Sequence, residues 1–385
     1  SDEVHPLYSR VMLSKPNFFL GQIPFDQIWL KGQKWYDEKK ITFLGGKIAT
    51  SLDTKTKTLT LTDATKLKYD KLLLALGVQA RRATMPGAGK KGVHYLRTLE
   101  DGKAIMEGIK TAKAKANGSP KGITVGGGFI SFEMANLLKL AGIDTTLLLR
   151  ERYFWEPILD EQSGLMIEQA IEKAGIKILK QTEITKIIGN ENVEGVIIKT
   201  PPSTPLGTSE LACQLIMFGI GAINNIGIAK ESGVATNRGI LANEYLETSA
   251  PDIWTAGDIA EYKDLILDKT IQLGSWVNAH KQGQVAGLNM IGKKTPFKFV
   301  SFYTTQGFGM NIAFVGDPSP SNVQHPMLNK IIRASVENNS RIQLLIDTLD
   351  SGRKELVGAT LINKPAEMSL IAKLIETNVD VSTRR

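Results

Sequence analysis

Apolar positions along the chain recur with two periods. Residues 41–69 alternate, with Phe43, Ile48 and Leu52 followed by Thr58-Leu-Thr-Leu-Thr62, and predict a meander of short antiparallel strands. Residues 72–77 are apolar throughout and end in glycine, the pattern of a buried parallel strand. A similar run enters glycine at 215–221, and another strand at 253–258 places Asp258 just beyond its carboxyl end. Helical spacing appears at 160–174, with Gly175 as the stop. A helix begins at 96–101, a basic loop is expected at 112–122, and His280 begins a long helix to residue 291. Further strands are expected at 176–179, 184–188 and 193–199, then a Pro/Ser/Thr turn at 200–207. Residues 1–6 read as the end of a strand, and 18–40 as linker and helix with Trp29, Trp35 and Tyr36 as packing aromatics. After residue 297 come strands near 299–303, 312–315, 341–346 and 355–361, and a helix over 366–376, an α+β unit.

The most informative stretch is Lys121-Gly-Ile-Thr-Val-Gly-Gly-Gly-Phe-Ile-Ser-Phe-Glu133, a strand, a glycine turn and a helix. Gly126 can make the tight turn, Gly128 lets the backbone approach a pyrophosphate, and Ser131 is small enough for close helix–strand packing. The helix start then offers free N–H groups to phosphates. An acidic residue is expected about 20 positions on, for the ribose hydroxyls. Glu151 fits, after Leu147-Leu-Leu149. Glu151 favours NADH, whereas the flanking Arg150 and Arg152 could meet the 2′-phosphate of NADPH.

The chain has 385 residues, enough for two or three domains. Cys213 is its only cysteine, which excludes a redox-active cysteine pair within it and fits a reducing compartment such as the cytoplasm. Net charge is +8, with the lysines dispersed. That balance can steer an acidic partner such as a small electron-carrier protein, and no nucleic-acid motif accompanies it. The apolar run 211–229 contains Gln214, Asn224 and Asn225, so it reads as a strand and glycine loop and not as a membrane span. No signal peptide and no metal site are expected. Arg10 and Lys15 are two cations in a short segment, either suited to a phosphate or a flavin ring.

Several motifs occur in one order. They are Leu7-Tyr-Ser-Arg-x-x-Leu-Ser-Lys15, the strand into Gly77, Tyr95-Leu-Arg-Thr-Leu-Glu-Asp101 and Val125-Gly-Gly-Gly-Phe-Ile130. Gly221, Thr248-x-x-Pro-Asp-Ile-Trp-Thr-Ala-Gly-Asp258 and Ser275-Trp-Val-Asn-Ala-His-x-Gln-Gly283 complete the set. In this the chain resembles the FAD- and NAD(P)-dependent pyridine nucleotide oxidoreductases, in the branch of ferredoxin and rubredoxin reductases, nitrite reductase flavin domains and apoptosis-inducing factor. The resemblance implies an α/β fold of two Rossmann-like dinucleotide-binding domains, each three-layer ββα, plus a C-terminal α+β domain. The FAD domain would be discontinuous, residues 1–100 and 226–295, with the NAD(P)H domain at 101–225 and a dimer or partner domain at 296–385. The family opens with a strand and glycine loop for the FAD pyrophosphate, and this sequence is expected to begin after that unit.

The resemblance also implies residue roles. Asp2 and Glu3 would hold the FAD adenosine ribose, Ala49 would meet adenine, and Arg10, Gly77 and Arg81 would lie along FAD. Lys15 and Glu133 would form an ion pair near the flavin N5 edge. Gly257 and Asp258 would meet the ribityl chain, and Ser275 and Trp276 would flank the isoalloxazine. Gly126, Gly127, Gly128, Phe129 and Ile130 would line the NAD(P)H path, Glu151 would take its ribose, and Gly221 would lie under the dinucleotide. Three positions depart from the family: Leu76 for threonine, Asn224 for proline, and Gly274 for an acidic residue. The implied activity is electron transfer from NAD(P)H through FAD to a ferredoxin- or rubredoxin-like carrier. Two alternatives stand beside it: a non-catalytic or partner-dependent NAD(P)H- or protein-binding relic, and a membrane-surface quinone reductase using the apolar stripe of the last helix.

Overall fold

A computed structural model describes residues 1–201, 207–318, 329–335, 339–348 and 352–381. The expected turn at 200–207 lies mostly outside the described residues. A five-stranded parallel sheet forms the middle of the molecule, in the order Val93–Tyr95, Leu215–Phe218, Lys121–Val125, Asp144–Leu148, Lys177–Leu179. Its strands alternate between two cores, as a period of two requires. Leu215 and Met217 pack on Ile105, Ile109, Met134 and Leu137, which come from the helices Leu99–Lys115 and Phe129–Leu140. Ile216 and Phe218 point the other way, onto Ile184, Ile187, Val196 and Ile198 of the antiparallel sheet Glu183–Ile188, Gly195–Lys199, Thr208–Ala212. The result is the expected ββα layering. The sheet takes its first strand from Val93–Tyr95, on the N-terminal side of the boundary expected at 101.

The flanking elements also follow the pattern. Leu72–Leu74 pairs in parallel with Ile253–Thr255. Ala49–Asp53, Thr58–Leu61 and Lys66–Lys68 form the predicted meander. Five antiparallel strands build the C-terminal sheet, in the order Phe302–Gly307, Met310–Gly316, Lys354–Ile362, Ser340–Thr348, Asn329–Ser335. The helix Met368–Glu376 buries Ile371 and Ile375 against that sheet. No helix among the described residues is long and apolar enough to cross a membrane.

Three local expectations are corrected. Residues 112–115 continue the helix Leu99–Lys115 and are not loop. A Thr98–Asp101 capping box starts that helix, and Lys113 and Lys115 complement the negative end of its dipole. The long helix begins at Trp276, one turn before His280, because Ser275 Oγ accepts the Asn278 amide at 3.1 Å as its N-cap. Residues 1–6 form no strand; instead Lys47 N donates to Ser1 O and Gly46 N to Glu3 O.

One buried group gives a stability prediction. His94 sits against Gly108, its Nε2 with no hydrogen-bond partner among the described residues, and burial pulls its pKa down from 6.5 to about 4. The folded state therefore holds His94 neutral while the unfolded chain takes up a proton. The stability that neutrality contributes is full above pH 6.5 and is lost as pH falls through about 4. The loss is about 3 kcal/mol in all. Urea titrations at stepped pH should show this slope, and His94→Leu should flatten it. An unchanged slope in that variant would contradict the assignment.

Candidate functional site

The turn after Lys121–Val125 has the geometry its glycines demand. Gly126 adopts φ +118°, and a Cβ there would stand 2.4 Å from the Gly219 carbonyl oxygen. Gly128 begins the helix Phe129–Leu140; Ser131 Oγ accepts its N–H at 3.0 Å and donates to its carbonyl at 2.8 Å. The amides of Phe129, Ile130 and Ser131 lie in the first turn, without intrahelical acceptors, so this end can take an anion. A Cβ on Gly219 would stand 2.7 Å from Ser131 N, which is the close helix–strand approach the small residue allows.

Glu151 lies beyond Asp144–Leu148 and faces the glycine turn. Its Oε1 is 3.7 Å from Arg150 Nη2, while its Oε2 is buried with no hydrogen-bond partner among the described residues, 3.4 Å from where a Gly127 Cβ would be. Arg152 is turned to a different acid: its Nε donates to Glu156 Oε1 at 2.9 Å, and its backbone N donates to Glu156 Oε2 at 2.9 Å. Phe129 is packed among aromatic rings, with centroids 4.8 Å from Trp155, 4.6 Å from Tyr303 and 5.1 Å from Phe314.

A second group forms one turn further along the same helix. Lys15 Nζ donates to Glu133 Oε1 at 2.5 Å, across 118 residues of sequence. Glu133 is buried and Lys15 is partly open. Thr305 Oγ1, from the C-terminal sheet, donates to the same carboxylate oxygen at 2.8 Å. Four residues earlier, Ser301 Oγ lies 3.3 Å from Ser275 Oγ. Trp276, half-exposed, stacks on His280 with centroids 5.5 Å apart.

A third group lies between them and the N-terminal segment. Asp258 follows Ile253–Thr255 in a turn and not at a helix start, and its Oδ2 is 3.6 Å from Arg97 Nη1. Gly77, at φ +58°, brings its backbone under Arg97, where a Cβ would stand 2.9 Å from Nη2. Burial, and next the neighbouring Arg10, lower the Arg97 pKa. Arg10 donates to Arg97 O at 2.7 Å and pairs with Glu3. Glu3 also accepts from Tyr8 OH, so its carboxylate is already engaged, while Asp2 is exposed. Because Ser1 and Glu3 run against residues 46 and 47, Asp2 lies near the start of the strand carrying Ala49. Arg81 N donates to Gly221 O at 3.0 Å, so those two are neighbours.

Two departures acquire reasons. Asn224 donates to Arg238 O at 2.7 Å and accepts from Gln272, which also donates to Asp258 O at 2.8 Å. Asparagine thus supports the Asp258 turn where proline could not. At Gly274 a Cβ would stand 3.4 Å from Asp258 Oδ1, so an acidic side chain there would start against a like charge. Sequence reasoning missed Arg97, Thr305, Gln272 and Gln282, whose Oε1 accepts the Gly257 amide at 2.7 Å. Arg97 and Gln282 stood inside quoted motifs; the other two had no local signal.

These residues fit two dinucleotides. The orphan Glu151 oxygen lacks only a hydroxyl donor, and no atom lies within 4 Å of a Cβ built on Gly128. Lys15, Asp258, Ser275 and Trp276 are the residues that would hold a flavin. Fold and site together define an oxidoreductase of the flavoprotein class, with FAD and NAD(P)H as cofactors. Residues 2–283 match the pyridine nucleotide-disulphide oxidoreductase family, and the chain belongs to it. It carries no disulphide partner for Cys213, whose thiol burial pushes up to about 12.

Relatives match over nearly the whole of this chain. The NAD(P)H nitrite reductase of Bacillus subtilis is 28% identical over 383 residues, which are 99% of this chain and 44% of that protein. This chain therefore spans less than half of that relative. The ferredoxin–NAD(+) reductase component of the biphenyl dioxygenase system of Paraburkholderia xenovorans is 26% identical over 385 residues, covering 100% of this chain and 88% of that one. The solved ferredoxin reductase of Rhodopseudomonas palustris superposes with a TM-score of 0.84 at 23% identity, over 99% of this chain and 88% of that chain.

Proposed function

We propose that this chain takes a hydride from NADH onto FAD and hands the electrons to an acidic ferredoxin- or rubredoxin-like carrier. The Lys15–Glu133 pair carries the reading, because it sets a cation on the helix that opens at the dinucleotide turn. Bound FAD supplies the hydride acceptor and releases electrons onward. The chain supplies position and charge. Gly126, Gly127, Gly128 and the first-turn amides seat the NADH pyrophosphate, and Glu151 takes its ribose hydroxyls. Gly221 lies under the dinucleotide, and Arg81 beside it lies along FAD. Asp258, on the turn held by Gln282 and Gln272, fixes the ribityl chain, with Ser275 and Trp276 beside the ring system. Asp2 and Ala49 meet the adenosine end. Lys15 Nζ keeps donors free beyond its bond to Glu133 and offers them to the developing charge.

Coenzyme choice follows from the Glu151 environment. Its free Oε2 accepts from a ribose hydroxyl and repels a 2′-phosphate, and Arg152 is tied to Glu156. Glu151→Gln should weaken NADH binding about tenfold, the effect of losing a charged acceptor. It should narrow the preference over NADPH at the same time. Titration calorimetry with both coenzymes checks this; a variant that keeps both affinities would overturn the ribose assignment. The quinone alternative finds little support, since the apolar stripe of the last helix packs on the C-terminal sheet. The net charge of +8 suits an acidic carrier, the reducing compartment is the cytoplasm, and the C-terminal sheet is the surface for a partner or a homodimer.

A further inference from the structure

We propose that Thr305 is a positioning residue for the Lys15–Glu133 pair, so that the C-terminal sheet takes part in setting charge at the flavin. The inference rests on the reading of Lys15 as the flavin-edge cation. Thr305 is buried on the strand Phe302–Gly307. A buried threonine hydroxyl commonly bonds a backbone carbonyl nearby. Thr305 Oγ1 instead reaches 172 residues back in the sequence to Glu133 Oε1, at 2.8 Å. Lys15 Nζ donates to that same oxygen at 2.5 Å. Two donors on one oxygen fix which carboxylate oxygen meets Lys15 and hold the side chain in a single rotamer. Without the hydroxyl, Glu133 is free to turn, and the ammonium turns with it.

The strand is placed to do this. A Cβ on Gly307 would stand 2.8 Å from the Phe132 ring, so the strand lies tight against the helix that bears Glu133. Ser301 stands just before the first residue of the strand, four positions from Thr305. Ser301 meets Ser275, and Thr305 meets Glu133. This strand and the residue that leads into it therefore touch both the ion pair and the ring-flanking serine.

The test uses the full-length, FAD-loaded protein with Thr305→Val, which keeps the shape, and Thr305→Ser, which keeps the hydroxyl. Reduction by NADH under anaerobic stopped flow should slow about tenfold in the valine variant, the scale of one hydrogen bond to a charged group. The midpoint potential of the bound flavin should also fall. Serine should restore both, and NADH affinity should stay unchanged in each. In a Glu133→Gln background, Thr305→Val should add nothing further. The proposal is overturned if valine matches the wild type, or if its effect persists undiminished with Glu133→Gln, which would mark a packing effect. Lys15→Met separates the two readings. If it leaves the reduction rate intact, the flavin-edge reading fails. If it slows reduction and Thr305→Val does not, only the Thr305 proposal fails.

Discussion

Lys15→Met should slow flavin reduction by NADH by about 10²- to 10³-fold, the usual effect of removing one preorganised charge-stabilising donor. Among the described residues its ammonium makes one hydrogen bond, to Glu133, and the side chain is partly open. Its remaining donors are therefore available to charge that develops during transfer. Methionine keeps the aliphatic stem and removes the charge. It also leaves Glu133 buried with only the Thr305 hydroxyl as partner. An unpaired buried carboxylate is costly by about 3–5 kcal/mol, so lower stability should accompany the lower rate. The double variant Lys15→Met with Glu133→Gln separates these effects. It should recover much of the unfolding midpoint and none of the rate. Recovery of both would mean that Lys15 serves only to neutralise Glu133.

Gly126→Ala should cost NADH affinity about 10²-fold and lower the unfolding midpoint. Two separate strains meet at that position. The backbone sits at φ +118°, where L side chains are strained, and the new Cβ would lie 2.4 Å from a backbone oxygen that cannot rotate away. Strained backbone costs about 1–3 kcal/mol and overpacking a similar amount. Relief requires the strands bearing Val125 and Phe218 to move apart at the turn, which displaces the first-turn amides from the phosphate. Gly128→Ala is the control. Its Cβ meets no atom within 4 Å, so the fold should keep its stability while the methyl enters the space assigned to phosphate. Calorimetry and thermal melts on both variants distinguish the cases. Equal loss of stability in the two would contradict the assignment of separate roles.

Local pattern made the framework legible. The strand–glycine–helix unit at Gly126 and the Glu151 that follows it needed only the chain order of small, apolar and acidic residues. The apolar run at 215–218 reads as a strand buried on both faces, and its residues do pack alternately into two cores. Reading failed where polar strands are buried. Ala260–Asp264 carries three charged residues, yet Glu261 accepts the Gly239 amide at 2.9 Å and Asp264 accepts those of Ile266 and Leu267 at 2.8 Å. Carboxylates that satisfy backbone donors can be buried, but their sequence looks like a loop. Thr305 and Gln282 escaped for a related reason. Their partners, Glu133 and Gly257, lie 172 and 25 residues away, and no local spacing encodes such a contact. Arg97 differs: it sits just before a capping box that the sequence announces, and only its burial was hidden.

The most direct test of the account is an anaerobic titration of the full-length, FAD-loaded protein with NADH, followed by visible absorbance. The account predicts that stoichiometric NADH bleaches the flavin band, and that the oxidised spectrum returns when a ferredoxin- or rubredoxin-like acceptor is added. A flavin band that survives saturating NADH, yet bleaches with dithionite, would contradict it.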